Sequence, residues 1–281
     1  MVKYKTGDAL KQGIALLNEN KIENAGLDAR VLLCHVLNCD SLYLTLHRDE
    51  ELDESDGQMF FSFIERRIKR EPISYITGKK EFMSMIFTVN PSVLIPRPDT
   101  EILVERVISE LKAVTTPCII DMCTGSGAIA VSLARYLEGS RVSALDISEE
   151  ALGIARKNAF DNGVCVEFDI HDVLTPFDAV MADAVVSNPP YISTEDMKQL
   201  DSDVSEYEPP HALAGGDDGL VFFRAIVANI SSCLIKGGLL AFEVGMGQAD
   251  DVKKIMDPLF DNISVDCDLA GIERVVYGFL K

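Results

Sequence analysis

The sequence predicts an α/β protein with a seven-stranded, mostly parallel sheet and a small all-helical domain before it. Through about the first 75 residues, apolar side chains recur at helical spacing. From residue 118 onward, short segments rich in β-branched residues alternate with helical segments, which is typical of a parallel sheet covered by helices on both faces. The last two strand segments lie close together, which favours a final antiparallel hairpin at the sheet edge.

The N-terminal domain is predicted to span residues 1–75. Apolar residues at helical spacing predict helices over 6–19, 27–38 and 53–70, with a shorter apolar turn at 42–46. The polar faces of these helices carry no residue pattern of a catalytic site. We therefore expect this domain either to be purely structural or to hold a partner.

A β-hairpin linker is predicted over residues 76–97. The segments 81–90 and 92–95 are rich in β-branched and aromatic residues, and Pro91 separates them. This arrangement predicts two strands with their turn at the proline.

The third region, residues 98–281, contains the predicted sheet. It follows the stretch PRPDTE, whose prolines stiffen the chain and could hold Arg97 over a pocket. Asp99 or Thr100 can cap a helix that runs to about Leu111. The predicted strands are 118–122, 142–145, 164–168, 179–186, 239–244, 263–268 and 275–280, and the helices between them are 126–138, 148–161, 217–234 and 248–258.

Composition excludes several classes of function. A net charge of −19 argues against a surface that wraps nucleic acid, because phosphate binding depends on clustered Lys and Arg. The apolar stretches are only strand-length and the first residues lack the apolar segment of a signal peptide, so we expect a cytoplasmic protein without a membrane span. We also expect a monomer. Seven scattered cysteines without a C-x-x-C pair favour reduced thiols, and we expect no metal.

The loop SNPPYI, residues 187–192, follows the predicted strand 179–186. Two consecutive prolines remove two N–H donors and force an extended loop, which holds Asn188 at the carboxyl end of a strand. The Asn188 side-chain oxygen and the Pro189 carbonyl are adjacent acceptors, and Tyr191 adds an aromatic face. Two such acceptors suit a planar NH2 group. The alternative is a simple Asn-Pro turn after a strand.

A nucleoside site is predicted where the first strand turns into a helix. The stretch DMCTGSGAIA, residues 121–130, has glycines at 125 and 127 that allow a tight turn and close approach of a ligand. Asp146 follows about 20 residues later, where its carboxylate can accept two ribose hydroxyls. Asp172 could bind the adenine amino group, or it could cap a helix.

Two residues favour S-adenosylmethionine (SAM) over a nicotinamide dinucleotide as the ligand. Methylation of an amide or amine needs a loop that grips an NH2 group, as Asn188 could, whereas hydride transfer does not. Asp121 suits a cationic amino acid group and would repel a pyrophosphate.

The sequence resembles the HemK/PrmC family of protein-(glutamine-N5) methyltransferases, which act on peptide chain release factors. The resemblance covers nearly the whole chain. The residues that carry it are Arg67, Arg70 to Ile73, Tyr75 to Gly78, Glu81, Phe82, LIPRPDTE at 94–101, DMCTGSGAIA at 121–130, Asp146, SNPPYI at 187–192 and LAGGDDGL at 213–220.

The resemblance implies a Rossmann-like class I SAM-dependent methyltransferase that modifies the glutamine of the Gly-Gly-Gln motif in a release factor and so modulates translation termination. The N-terminal domain would then dock the release factor. The residues expected to bind SAM are Asp121, Cys123, Thr124, Gly125, Ser126, Gly127, Asp146, Ile147, Asp172, Val173 and Asn188. Asn188, Pro189 and Tyr191 are expected to be catalytic, and Arg97 and Asn188 to Tyr191 to bind the substrate.

Two positions depart from the family pattern. Cys123 stands where the family usually has glycine, and Val173 where an aromatic residue is frequent. Two other functions stay open on the residues alone. An adenine-N6 nucleic acid methyltransferase could use the same loop on a flipped base, and a non-catalytic SAM-binding interaction module could keep the same nucleoside site.

Overall fold

The computed structural model describes residues 4–176 and 181–281 of the 281-residue chain. The chain divides into two compact units. Unit 1 consists of the residues up to Gly78 together with Asp201–Tyr207, and unit 2 consists of Lys79–Leu200 and Glu208–Lys281. In the described residues, no helix is long and apolar enough to cross a membrane.

The secondary structure follows an all-helical and then an alternating order. The helices are α1 (Thr6–Glu19), α2 (Ala25–Leu37), α3 (Ser41–Leu46), α4 (Glu54–Ile68), α5 (Ile73–Thr77), α6 (Thr100–Leu111), α7 (Ala128–Tyr136), α8 (Glu149–Asp161), α9 (Ser202–Ser205), α10 (Val221–Asn229) and α11 (Ala249–Met256). The strands are β1 (Lys79–Phe82), β2 (Met85–Thr88), β3 (Cys118–Met122), β4 (Arg141–Asp146), β5 (Glu167–Ile170), β6 (Ala182–Ser187), β7 (Leu234–Glu243), β8 (Phe260–Cys267) and β9 (Glu273–Leu280).

Unit 1 is built from α1 to α5 and α9 around its own apolar core. Leu17, Leu32, Phe60 and Ile64 are fully buried there. The helical pattern of the sequence is confirmed, and α5 is an additional short helix that the spacing did not predict. Burial of these large side chains is the main stabilising contribution to a bundle of short helices.

The segment Asp201–Tyr207 belongs to unit 1 although it lies between β6 and β7 in the sequence. Arg67 donates to Asp28 over 2.8 Å and to Asp203 over 2.7 Å. The Tyr207 hydroxyl donates to the carbonyl oxygen of Lys69 over 2.6 Å. Because Arg67 and Asp203 are 136 residues apart, no local sequence pattern could predict this contact.

The hairpin is present, but the predicted position of its turn is wrong. The turn lies at Met83 and Ser84, inside the predicted first strand, and both residues have left-handed φ values of 49° and 55°. Turns with left-handed backbone usually contain Gly, Asn or Asp, which makes them visible in a sequence. Here tertiary contacts support the turn: the Met83 N–H donates to Glu101, and the Met83 carbonyl accepts from Tyr136.

The seven-stranded sheet is confirmed, with the strand order β5-β4-β3-β6-β7-β9-β8. The first five strands are parallel, and β9 pairs antiparallel with both β7 and β8. The predicted antiparallel hairpin at the edge is therefore correct. Of the predicted strand 179–186, residues 179 and 180 lie outside the described residues.

Several element boundaries differ from the prediction around α10. The predicted helix 217–234 is shortened to Val221–Asn229, because Gly219 has a left-handed φ of 74° in the turn that precedes it. At the other end, Leu234 is already the first residue of β7.

The strand β5 also differs from the prediction, because it begins at Glu167 rather than at residue 164.

The sheet is covered on both faces, which explains its continuous apolar strands. Ile119 and Ile120 in β3 are both buried but belong to two separate apolar clusters. One cluster includes Phe223 of α10, and the other includes Leu103 of α6. With the faces filled, the carboxyl ends of β3, β4 and β6 are where a ligand can reach the sheet.

Candidate active site

A cavity opens at the carboxyl ends of β3, β4 and β6. Eight of the predicted site residues line it: Cys123, Gly125, Asp146, Ile147, Asp172, Val173, Asn188 and Pro190. The nucleoside-type residues and the NPPY loop therefore share one cavity. The cavity is also lined by residues that were not among the predicted site residues: 92–94, 211–212, Ala151, His171, Leu174 and Phe222.

Asp121 lies beneath the strand-to-helix turn and is fully buried. Its Oδ2 accepts from the Thr124 hydroxyl over 2.6 Å and from the Ala130 N–H over 3.1 Å. Its Oδ1 has no hydrogen-bond partner among the described residues. Burial, with the nearby Asp146 carboxylate, raises the pKa of Asp121 to about 7. In this structure, Asp121 fixes the turn.

The turn itself depends on left-handed backbone at three positions. Cys123 has a φ of 63°, Gly125 of 55° and Gly127 of 80°. A Cβ at Gly127 would lie 3.0 Å from the Ala155 Cβ, whereas a Cβ at Gly125 would meet no protein atom within 4 Å. Gly127 thus permits close helix packing, and Gly125 leaves open space for a ligand. Burial also raises the pKa of the Cys123 thiol.

Two predicted residues of this loop, Thr124 and Ser126, are buried and do not line the cavity. The Thr124 N–H donates to the Leu145 carbonyl over 3.0 Å, and the Ser126 carbonyl accepts from the Asn158 side chain over 2.8 Å. These bonds connect the loop to β4 and α8. The two residues support the shape of the loop rather than its ligand-facing surface.

Asp146 ends β4 with both carboxylate oxygens in use. Its Oδ2 accepts from the Gly125 N–H over 2.8 Å, and its Oδ1 accepts from the Ser148 N–H over 2.9 Å. A carboxylate has about four lone-pair positions, so Asp146 can accept two further hydrogen bonds. Ile147 is well exposed beside it. This combination fits a ribose with two hydroxyls.

Asp172 and Val173 lie side by side on the cavity wall. The Asp172 carboxylate accepts from the Leu174 N–H over 2.9 Å, so it closes a local turn as well as facing the cavity. Val173 is buried in the core cluster that contains Ile120. A flat apolar group such as a purine could pack against Val173.

The NPPY loop begins where β6 ends. The Ser187 hydroxyl donates to the Met122 carbonyl over 2.6 Å, which ties β6 to β3 at the site. Asn188 lines the cavity, and its Nδ2 donates to the Thr100 hydroxyl over 3.4 Å. Tyr191 is half-buried, and burial together with Glu243 raises its pKa. Pro189 and Tyr191 do not line the cavity.

The GGDDGL stretch packs directly on this loop. The Ile192 N–H donates to the Leu213 carbonyl, and the Ile192 carbonyl accepts from Gly215 over 2.8 Å. A Cβ at Gly215 would lie 2.7 Å from the Tyr191 Cα, and a Cβ at Gly219 would overlap the Tyr191 carbonyl oxygen. These contacts explain why this glycine-rich stretch accompanies the NPPY loop in the sequence.

Gln248 completes the support of the loop and was not found by sequence reasoning. Its Nε2 donates to the Tyr191 carbonyl over 2.9 Å, and its Oε1 accepts from the Gly245 N–H over 3.0 Å. Gln248 follows β7, five residues after its end. Its position beyond a strand's carboxyl end was the one available signal.

Arg97 does not line the cavity. Its guanidinium donates to Glu208 over 2.5 Å, and Glu208 is only 2% exposed. Burial raises the pKa of Glu208, and the positive charge of Arg97 opposes that rise. The sequence predicted a stiff loop around Arg97 but gave no sign of this buried partner.

No group of three or more His, Cys, Asp or Glu side chains is placed to hold a metal within 4–176 and 181–281.

Two family profiles match the chain. The profile of the PrmC N-terminal domain matches residues 8–78, and that of the methyltransferase small domain matches residues 98–205. The chain is 38% identical over 283 residues to the release factor glutamine methyltransferase of Clostridium acetobutylicum, with 97% of each chain covered. It is 40% identical over 277 residues to that of Moorella thermoacetica, with 97% of this chain and 98% of the relative covered.

A solved structure with the same fold is that of a methyltransferase from Pyrococcus furiosus. The two chains are 16% identical and superpose with a TM-score of 0.52, and the match covers 71% of this chain and 91% of the Pyrococcus furiosus chain. The fold and the site define a SAM-dependent methyltransferase. Within that class, the chain belongs to the family of release factor glutamine methyltransferases.

Proposed function

We propose that the protein methylates the side-chain amide nitrogen (N5) of the glutamine in the Gly-Gly-Gln motif of a peptide chain release factor and so modulates translation termination. The observation that carries this proposal is that Asn188 lines the same cavity as Gly125 and Asp146. An amide held by Asn188 would therefore be next to a methyl donor held by the other two residues. The near-full-length relatives support the identity of the substrate.

The donor half of the site is assigned to the β3 and β4 ends. Asp146 would accept the ribose hydroxyls, Val173 would contact the adenine, and Asp172 would accept from the adenine amino group. Gly125 and its neighbours from Asp121 to Gly127 would provide a close-fitting backbone. SAM supplies an electrophilic methyl group on a sulfonium.

The acceptor half is assigned to the NPPY loop. A carboxamide nitrogen is a poor nucleophile because its lone pair is delocalised into the carbonyl, so positioning must supply much of the rate. The Asn188 Oδ1 and the Pro189 carbonyl would accept its two N–H groups, while Pro190 and Tyr191 would pack against the glutamine side chain. Positive charge develops on this nitrogen as the methyl transfers, and both acceptors then bind more strongly.

The remaining regions are assigned the roles that the family resemblance implies. The helical domain of residues 1–75 would dock the release factor, residues 76–97 would link it, and residues 98–281 would carry the chemistry. Arg97, partly exposed on its buried partner Glu208, would contact the release factor near the glutamine. The protein would act as a cytoplasmic monomer, in the compartment where release factors work.

Replacement of Asn188 by alanine tests the assignment directly. We expect methyl transfer to fall by about 10²–10³-fold, because one of two acceptors for the reacting group is lost. Binding of S-adenosylhomocysteine should weaken far less than methyl transfer, since Asp146 and the glycine loop, which would hold most of the ligand, are unchanged. The measurement is transfer of radiolabelled methyl groups to a purified release factor, with calorimetry for ligand binding.

The labelled residue must also be mapped by mass spectrometry, with duplex DNA in a parallel reaction. Label on the glutamine of the Gly-Gly-Gln loop supports the proposal. Label on adenine but none on protein would contradict the proposal and show instead a nucleic acid methyltransferase. Ligand binding without any transfer would favour a non-catalytic module, and an Asn188→Ala variant with wild-type activity would contradict the role of the loop.

A further inference from the structure

Glu243 is a buried carboxylate next to the NPPY loop that no sequence motif singled out. It is the last residue of β7 and is 3% exposed. Ser187 pairs with Phe242 in the β6–β7 register, so Glu243 and Asn188 are neighbours across the sheet. Among the described residues, its Oε2 has no hydrogen-bond partner. Burying a carboxylate with an unpaired oxygen costs folding free energy, which points to a role for Glu243 in the site.

Two side chains of the site lie close to Glu243. Thr100, the first residue of α6, and Asn188 are both near enough to its carboxylate to lower its pKa, against the effect of burial. Asn188 and Thr100 also contact each other, with 3.4 Å between Nδ2 and Oγ1. The three residues come from α6, β7 and the NPPY loop and form one polar cluster, which we name the Glu243 cluster.

The chemistry of a carboxylate fixes which way the Asn188 amide faces. An ionised carboxylate only accepts hydrogen bonds, so the Asn188 group turned toward it must be the NH2. We propose that Glu243 and Thr100 position the Asn188 side chain so that its Oδ1 is presented to the substrate nitrogen. This inference rests on the proposed function, in which Asn188 accepts an N–H of the glutamine.

The opposite orientation of the amide would oppose the reaction. With its NH2 toward the substrate, Asn188 would place a donor against the NH2 group of glutamine. An asparagine on a loop has two amide orientations of similar shape, and only their hydrogen-bond partners separate them. The Glu243 cluster supplies such partners on the side of Asn188 that faces away from the substrate, and they are present before the substrate binds.

Ionisation of Glu243 should therefore control the orientation. The charged groups that face it are Asp99, which precedes α6, and Arg274 of β9, and Tyr191 lies on the loop. Burial raises the pKa of Glu243 to about 7, against the opposing effects of Thr100, Arg274 and Asn188. A protonated Glu243 can donate to the Asn188 Oδ1 and turn the amide around, so activity should fall as pH drops below this pKa.

Four variants test the proposal in the full-length chain. For Glu243→Leu, which removes the acceptor, we expect about a 100-fold fall in kcat for methylation. For Glu243→Gln, whose amide oxygen can still accept, we expect about a 10-fold fall and no acidic limb in the pH profile of kcat. Thr100→Val should cost about 10-fold, while Thr100→Ser, which keeps the hydroxyl, should stay within about 3-fold.

The matched control is Glu110→Gln. It removes a carboxylate on α6, the helix that begins with Thr100, but outside the Glu243 cluster, and it should leave kcat unchanged. Binding of S-adenosylhomocysteine should be close to wild type in all variants. Wild-type kcat in Glu243→Leu, or an unchanged acidic limb in Glu243→Gln, would overturn the proposal. So would equal losses in Thr100→Val and Thr100→Ser, which would indicate only a packing role.

A second readout does not depend on the reaction. The side-chain NH2 signal of Asn188 in a ¹⁵N NMR spectrum, assigned through its loss in Asn188→Ala, should shift as Glu243 titrates in the wild type. The shift should be absent in Glu243→Gln. A signal insensitive to pH in the wild type would overturn the positioning, even if glutamine methylation is confirmed. A titrating signal in a protein that methylates no glutamine would support the positioning and reject the proposed function.

Discussion

Cys123 occupies a left-handed backbone position that favours glycine. It has a φ of 63° at the cavity wall, a conformation in which a side chain other than that of glycine is strained. The structure accommodates it because the side chain packs against the cluster of buried residues around Ile120. A cysteine at this position therefore combines local backbone strain with some apolar contact.

Substitutions at Cys123 should separate these two effects. Cys123→Gly should stay within about 1 kcal/mol of the wild-type free energy of unfolding, because relief of strain offsets the lost side chain. Cys123→Val should lose about 2 kcal/mol, since a β-branched residue tolerates left-handed backbone poorly. Urea unfolding monitored by circular dichroism measures both. Equal losses in the two variants would show that φ is not the limiting factor.

The contribution of Asp121 to the free energy of unfolding depends on pH. Its pKa is raised from 3.8 to about 7 in the folded protein. Between these two values the folded state holds a proton that the unfolded state has released, so the contribution of Asp121 to stability falls as pH rises through this window. Above it, the fold contains a buried negative charge whose Oδ1 is unpaired among the described residues.

We expect Asp121→Asn to resemble the wild type at about pH 5 and to be more stable by about 2 kcal/mol at about pH 8. The amide oxygen of asparagine can still accept from Thr124 and Ala130. Urea unfolding at both pH values gives the comparison. Asp161→Asn, a partly exposed carboxylate on α8, serves as the control. A stability difference for Asp121→Asn that is independent of pH would contradict the raised pKa.

At the scale of elements, the NPPY loop is held by segments that are distant in sequence. The GGDDGL turn contacts its backbone, and Gln248 after β7 donates to the Tyr191 carbonyl. The prolines supply stiffness, and these contacts supply the position. A loop on a rigid support keeps its acceptors in place for an incoming substrate.

Gly219→Ala should displace the loop without unfolding the protein. Its Cβ would overlap the Tyr191 carbonyl oxygen, so we expect methyl transfer to fall by about 100-fold. Gly271→Ala is the matched control, because Gly271 also has a left-handed φ but a Cβ there would meet no atom within 4 Å. Both variants share the backbone strain. Similar activity in the two variants would show that the contact with Tyr191 is unimportant.

At the scale of the whole molecule, charge limits the partners. The net charge of −19 is spread over an acidic chain with a pI of about 4.5. Such a surface repels a phosphate backbone and favours a partner with a neutral or basic contact surface. This property distinguishes the proposed substrate from the adenine alternative, which shares the NPPY loop.

We expect no saturable binding of duplex DNA at about 50 mM salt, because too few clustered cations are available to release counterions. Fluorescence anisotropy with a labelled duplex measures this, and a purified release factor in the same titration is the positive control. DNA binding that weakens steeply with added salt would revive the nucleic acid reading.

The sequence by itself determined the fold class, the approximate carboxyl ends of the sheet strands and eight of the residues that line the cavity. Hydrophobic periodicity reports local structure, and motifs such as GxG and NPPY mark the carboxyl ends of strands, which must meet at one edge of a parallel sheet. The presence of Asp146, Val173 and Asn188 in one cavity follows from these two facts.

Only the tertiary structure decided the turn at Met83 and Ser84, the pairing of Arg97 with Glu208, the buried position of Asp121 and the cluster around Glu243. Each of these depends on a partner many residues away. Sequence patterns extend over a few residues, whereas the burial of a charge or the choice of a turn is fixed by whatever packs against it.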